Sequence, residues 1–283
     1  MIMRDLVNKI KLFFSLQRIN TALSRASAAI PLRNVNPGAP NSWEFSGFSQ
    51  NGEDGIVDFL SRKTIKPNRY FIEIGSANGF ENNTSWLAIV RKYSGLMVES
   101  RRKAAELCRL IMSLLNIGVE CKQMFITREN IEQFLGMALY LNPDVFSLDM
   151  DGVDYYIAKA VMDAGFRPKI FIVEYNSTFG PGKSITIKYN ENFNHYKAHD
   201  SFLYYGVSIS GWKKLFKSFN YKFVTVDLNG VNAFFINQEC FEKDFIDNLN
   251  GLEFQENFFQ LKKFKMPWDK QFKLIESLNF EII

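Results

Sequence analysis

The sequence predicts an α/β fold on a doubly wound, mostly parallel sheet that closes with a C-terminal antiparallel hairpin. Three observations carry this prediction. From about residue 53 onward, short runs rich in Val, Ile and Phe alternate with stretches of helical periodicity. Most of the runs are almost continuously apolar, which marks strands covered on both faces. The last two runs are separated only by residues 227–232, where Asn229-Gly230 signals a tight turn.

The elements follow in chain order. Leu6, Ile10, Phe13, Phe14 and Leu16 recur at roughly helical spacing, predicting an amphipathic helix over residues 3–27. Its apolar face has two readings: packing on the domain or on a sister subunit of a homodimer, or contact with a membrane surface. Residues 31–45, rich in Pro, Gly and Asn, read as a linker. Ser49 and the acids of Asn51-Gly52-Glu53-Asp54 predict a helix start, with Ile56, Val57, Phe59 and Leu60 as its apolar face. Strands are predicted at 70–74, 95–99, 119–125, 145–149, 170–174, 223–226 and 233–236. Helices are predicted at 84–92, 101–115, 127–141, 155–164 and 211–219. This divides the chain into an N-terminal helix and linker (1–44), a Rossmann-like domain (45–240) and a C-terminal helical extension (241–283).

Composition excludes several classes. The net charge is +4, but Arg4, Lys9, Lys11, Arg18, Arg25 and Arg33 stand against Asp5 alone before residue 34. The rest is near neutral, which argues against a nucleic-acid-binding face. Cys108, Cys121 and Cys240 are too widely spaced for a zinc knuckle or a disulfide framework, and fit a reducing cytoplasm. No apolar run approaches the ~18 residues of a membrane span.

The strongest local signal is Phe71-Ile72-Glu73-Ile74-Gly75-Ser76-Ala77-Asn78-Gly79. A buried strand ends in an acid, and the following turn carries Gly75 and Gly79, which let the backbone approach a ligand. Glu99 closes the second strand, where an acid in this architecture binds ribose hydroxyls. NAD sites normally use G-x-G-x-x-G, whereas position 77 is Ala. Glu73 could instead reach a cofactor's amine, which favours S-adenosylmethionine. Ser76, Ser100, Phe125 and Asp149, at the same strand ends, complete the expected cofactor contacts.

A second cluster closes strands four and five. Asp149, Glu174 and Asn176 are hard oxygen ligands suited to Mg²⁺, which would acidify a substrate hydroxyl; the alternative is helix capping or ion pairing. The two histidines are His195 and His199. His199, beside Asp200, is the candidate general base together with Asp149; a surface histidine is the alternative. Gly180-Pro181-Gly182-Lys183-Ser184 is rejected as a P-loop, since Ser177 stands where the first glycine belongs and a strand-like run follows.

Phe48-Ser49-Gln50-Asn51-Gly52-Glu53-Asp54, the 73–79 loop, Ser147 to Tyr155, Glu174-Tyr175-Asn176 and Gly230 to Phe235 together resemble the FkbM-like branch of class I methyltransferases, over residues 45–240. The resemblance implies S-adenosylmethionine-dependent methylation of a hydroxyl, often on a sugar or natural-product precursor. Asp149, Glu174 and Asn176 resemble the metal triad of metal-dependent O-methyltransferases, although Tyr175 separates two ligands that those enzymes keep adjacent. A sugar oxidoreductase using NAD, and a catalytically silent scaffold of the same fold, are the rival readings.

Overall fold

The computed structural model describes residues 34–283 together with Gln17, Arg18, Thr21, Leu23 and Ser24. Apart from those five residues, the N-terminal helix expected over 3–27 lies outside the described ones.

The helices are α1 (Glu53–Lys63), α2 (Ser85–Ile89), α3 (Arg102–Leu115), α4 (Ile131–Leu135), α5 (Asp154–Asp163), α6 (His195–Ala198), α7 (Ile209–Ser218), α8 (Lys243–Asp247), α9 (Phe258–Phe264) and α10 (Trp268–Phe272). The strands are β1 (Tyr70–Ile74), β2 (Ser94–Glu99), β3 (Val119–Gln123), β4 (Val145–Leu148), β5 (Ile170–Glu174), β6 (Ile185–Ile187), β7 (Tyr221–Val226), β8 (Asn232–Asn237) and β9 (Phe280–Ile282). Among the described residues, seven strands form one sheet in the order β3-β2-β1-β4-β5-β8-β7. The first five are parallel, and β8 runs antiparallel to both β5 and β7. This is the Rossmann-like architecture of class I methyltransferases, as the sequence predicts.

Alternation along each strand builds two cores. Ile72, Ile74, Phe146, Leu148 and Phe171 face α4, α5 and α7 through Phe134, Ile157, Val161, Trp212 and Phe216. Phe71, Met97, Val145, Ile172 and Phe234 face α1, α2 and α3 through Ile56, Leu60, Leu87, Cys108 and Ile111. In α3 the buried Ala105, Cys108, Ile111 and Met112 recur at helical spacing, leaving Arg102 and Glu106 to water. Acids Glu53 and Asp54 open α1 and Arg62 and Lys63 end it, both favourable to the helix dipole.

Two expectations change. The helix predicted over 127–141 shrinks to α4, because Asn130 accepts from Thr127 N at 2.8 Å and donates to Phe125 O at 2.7 Å, turning the chain before the helix starts. The C-terminal extension is not solely helical: β9 pairs antiparallel with β6 in a separate two-stranded sheet. Far apart in sequence, Cys108 on α3 and Cys121 on β3 bring their sulfurs to 2.9 Å without a disulfide. No helix among the described residues is long and apolar enough to cross a membrane.

Candidate functional site

Parallel strands end together, so the loops leaving β1, β2 and β4 meet at one edge of the sheet, where ligands of open α/β folds bind. There they enclose a cavity of about 490 Å³. Its walls also take in the loop before α1, residues 124–126 after β3, the segment around α6, and the start of β8.

At one end the β1 loop is built for close approach. Gly75 has φ +88°, and a Cβ there would lie 1.7 Å from the Asp149 carbonyl oxygen. The glycine therefore lets the β1 turn pass against the end of β4. Its N–H donates to Val98 O at 2.9 Å, and that of Ser76 to the same oxygen at 3.1 Å. Gly79 serves differently: a Cβ there would meet Cys108 Sγ at 2.9 Å, so it makes room for α3 and does not line the cavity. Ser76, almost fully buried, does not line it either. Ala77, a non-glycine residue at φ +46°, does line it and donates its N–H to Glu99 Oε2 at 2.8 Å.

Glu99 also accepts from Arg101 N at 2.8 Å and Arg101 Nε at 3.0 Å. Burial pushes its carboxyl up, but Arg101 and these N–H groups outweigh burial and hold it below the usual range. It is a fixed carboxylate on the cavity wall, flanked by Ser100 and Phe125, as a ribose acceptor requires. Glu73 touches the cavity, yet its oxygens are taken by Asn82 Nδ2, Thr84 Oγ1 and, at 3.0 Å, Asn83 N. Burial raises its carboxyl to about 7. Glu73 therefore organises the loop that enters α2.

Beyond β4 the site turns acidic. Asp149, Asp151 and Glu174 bring a carboxylate oxygen each within 4.8 Å of one another. Burial, and then the neighbouring carboxylates, raises Asp149 and Glu174 well above their ordinary range. Asp154 shapes this loop by accepting from Met150 N at 2.8 Å and Gly152 N at 2.9 Å, which holds Asp151 at φ +54°. Tyr205 OH donates to Glu174 Oε1 at 3.2 Å.

Two sequence expectations are corrected here. Asn176 is not a ligand: its Nδ2 donates to Leu203 O at 2.8 Å and Tyr205 O at 2.9 Å, and its Oδ1 accepts from Thr178 N at 3.0 Å. The chain turns directly after β5, and the amide is spent fixing that turn. Asp151 takes its place in the acidic cluster. His199 is not the base: its Nδ1 pairs with Ser201 Oγ at 2.8 Å, and it does not line the cavity. His195 does. Its Nε2 lies 2.7 Å from Phe202 O, and a carbonyl only accepts, so Nε2 carries the hydrogen. Nδ1 then presents a lone pair, buried and without a hydrogen-bond partner, 3.9 Å from Asp151 Oδ1.

Sequence reasoning missed Arg101, Asp151, His195, and the Gln50-Asn51-Glu53 and Asn232 wall. Asp151 and His195 were legible only as members of polar runs. Glu53 read as an ordinary helix-start acid, and Asn232 as part of a turn.

No protein-family model and no curated protein matches the chain. Solved structures that it resembles include an O-methyltransferase from Bacillus cereus in complex with SAH, at 14% identity over 78% of this chain and 89% of that one, TM-score 0.40. The N-terminal domain of EvdMO1 with SAH bound is 10% identical over 67% of this chain and 82% of that one, TM-score 0.42. The SAH-bound Podospora anserina methyltransferase PaMTH1 is 14% identical over 67% of this chain and 80% of that one, TM-score 0.42. At such identities and scores these likenesses add nothing to what the strand order establishes.

Proposed function

We propose that the chain is an S-adenosylmethionine-dependent O-methyltransferase acting on a hydroxyl of a sugar or related natural-product precursor. The observation that carries this reading is a single cavity with two chemically distinct halves. One half pairs the tight Gly75 turn with the fixed Glu99 carboxylate; the other holds Asp149, Asp151 and the unpaired Nδ1 of His195. Bound there, S-adenosylmethionine would supply a methyl group on a sulfonium, an electrophile that needs alignment and proton removal. Glu99 would hold ribose hydroxyls, with Ser100 and Phe125 beside it. His195 Nδ1 would take the proton of the acceptor hydroxyl, and Asp151 would stabilise the imidazolium that results. The methyl group would pass to the acceptor oxygen as the methyl–sulfur bond gave up its electron pair to sulfur, which would leave S-adenosylhomocysteine as the product.

Asp149, Asp151 and Glu174 also fit a hard divalent cation, with three carboxylates in reach of one point. In this reading Mg²⁺ would draw the acceptor oxygen toward the same half of the cavity and lower its pKa.

Calorimetry with S-adenosylhomocysteine and with NAD⁺ tests the core of the proposal. Binding of S-adenosylhomocysteine in the micromolar range, and none of NAD⁺, is expected. Binding of NAD⁺ alone would sink it in favour of an oxidoreductase.

A further inference from the structure

The wall of the cavity at β8 carries an unmet hydrogen-bonding demand. Glu53 is buried and lines the cavity; its carboxylate accepts from Asn51 N at 2.7 Å, Asn51 Nδ2 at 2.9 Å and Asn232 Nδ2 at 2.8 Å. Because a carboxylate only accepts, the amide nitrogen of Asn232 must face Glu53. That leaves Asn232 Oδ1 on its other side. Asn232 is 3% exposed and lines the cavity, yet Oδ1 receives no hydrogen bond. Buried amide oxygens are seldom left so.

The corner is also held rigid. Asn229 Nδ2 donates to Asn51 Oδ1 at 3.2 Å, Leu228 N to Glu44 Oε1 at 3.0 Å, and Phe258 N to Asn229 O at 2.9 Å. The β7–β8 turn is thus tied both to the loop before α1 and to the C-terminal extension. Asn232 cannot swing away to find another partner without breaking its bond to Glu53. Oδ1 is a fixed acceptor waiting for a donor.

We propose that Asn232 and Glu53 form a subsite that binds a hydrogen-bond donor of the ligand, a hydroxyl or an ammonium. The hydroxyl source rests on the methyltransferase reading. Asn232 on β8 stands four interstrand steps from Glu99 on β2, through β1, β4 and β5, while both line the cavity. With the ribose at Glu99, a second hydroxyl of a polyhydroxylated acceptor is the donor assigned to Asn232. The subsite would orient that acceptor so that a neighbouring hydroxyl faces His195.

The test compares the wild-type chain with Asn232→Leu and Glu53→Gln. Each is titrated with S-adenosylhomocysteine by calorimetry, then probed in its presence by saturation-transfer NMR with D-glucose, D-galactose and 6-deoxy-D-galactose. Expected is an S-adenosylhomocysteine affinity within twofold across the three chains, with the sugar signal at least tenfold weaker in both variants. A tenfold loss of S-adenosylhomocysteine affinity in the variants, absent for an analogue lacking the amino group, assigns the donor to the cofactor's ammonium and keeps the subsite. Sugar binding by wild type that is lost in the variants, with no S-adenosylhomocysteine binding anywhere, keeps the subsite and overturns the methyl-donor reading. Equal behaviour of all three chains toward both probes, or no sugar signal alongside unchanged S-adenosylhomocysteine affinity, overturns the proposal. Should Asn232→Leu lose its cooperative melt, Asn232→Ser and Glu53→Gln carry the comparison.

Discussion

Replacing Gly75 with Ala tests whether the β1 turn is set by close approach. The new Cβ would sit 1.7 Å from the Asp149 carbonyl oxygen, where carbon and oxygen need about 3.3 Å. The turn must retreat by about 1.6 Å, and that breaks the bonds from Gly75 N and Ser76 N to Val98 O. Each bond contributes about 1 kcal/mol, and the left-handed backbone adds about 1–2 kcal/mol for Ala. The total is about 3–4 kcal/mol, or a melting point lower by about 5–7 °C for a chain of this size. Gly165 is the matched control: its φ is +89°, but an added Cβ would meet nothing within 4 Å. Gly165→Ala bears only the backbone cost, so it should lose about 1–2 kcal/mol. Differential scanning calorimetry of both variants, with S-adenosylhomocysteine titrations, separates the two contributions. Only Gly75→Ala should also weaken the ligand, at least tenfold. If the two variants melt together and bind alike, the close-approach argument is wrong.

His195→Ala should lower methyl transfer by about 10²–10⁴-fold, while His199→Ala leaves it within twofold; steady-state rates with an identified acceptor decide between the two histidines. Burial raises Glu73 from its usual 4.5 to about 7, so the folded chain keeps a proton that the unfolded chain has released. Stability from this group is therefore full below pH 4.5 and lost as pH rises through 7, and Glu73→Gln should flatten the melting profile over that window. Manganese titration followed by electron paramagnetic resonance should show one site that Asp149→Asn weakens at least tenfold; identical titrations in both chains would remove the cation from the mechanism. Lys169 and Asp144 form a buried pair at 2.5 Å with side chains 4% and 0% exposed. Lys169→Met strands the carboxylate and should cost about 3 kcal/mol in chemical denaturation, despite the bonds Asp144 keeps from Asn68 N and Arg69 N.

What the sequence determined by itself was the sheet and its direction of reading. Five strand runs at βαβ spacing predict a parallel sheet, and the Asn-Gly turn before β8 signals the antiparallel close. Gly75 and Glu99 were legible for the same reason: each is fixed by its place at a strand end. The tertiary structure decided everything that depends on where a side chain points. Gly79 makes room for Cys108 rather than for a ligand, and Glu73 turns toward its own loop. Asn176 was spent on a turn, so Asp151 took its place beside Asp149 and Glu174. His195 and His199 are four residues apart in one short segment, and only the carbonyl of Phe202 separates the histidine that opens on the cavity from the one bound to Ser201. The placement of strands and helices along the chain follows from local pattern, because hydrophobic periodicity is a property of neighbours in sequence. Hydrogen-bond partners are neighbours only in space, and Glu53 with Asn232, on opposite sides of the chain's length, meet only once the sheet is built.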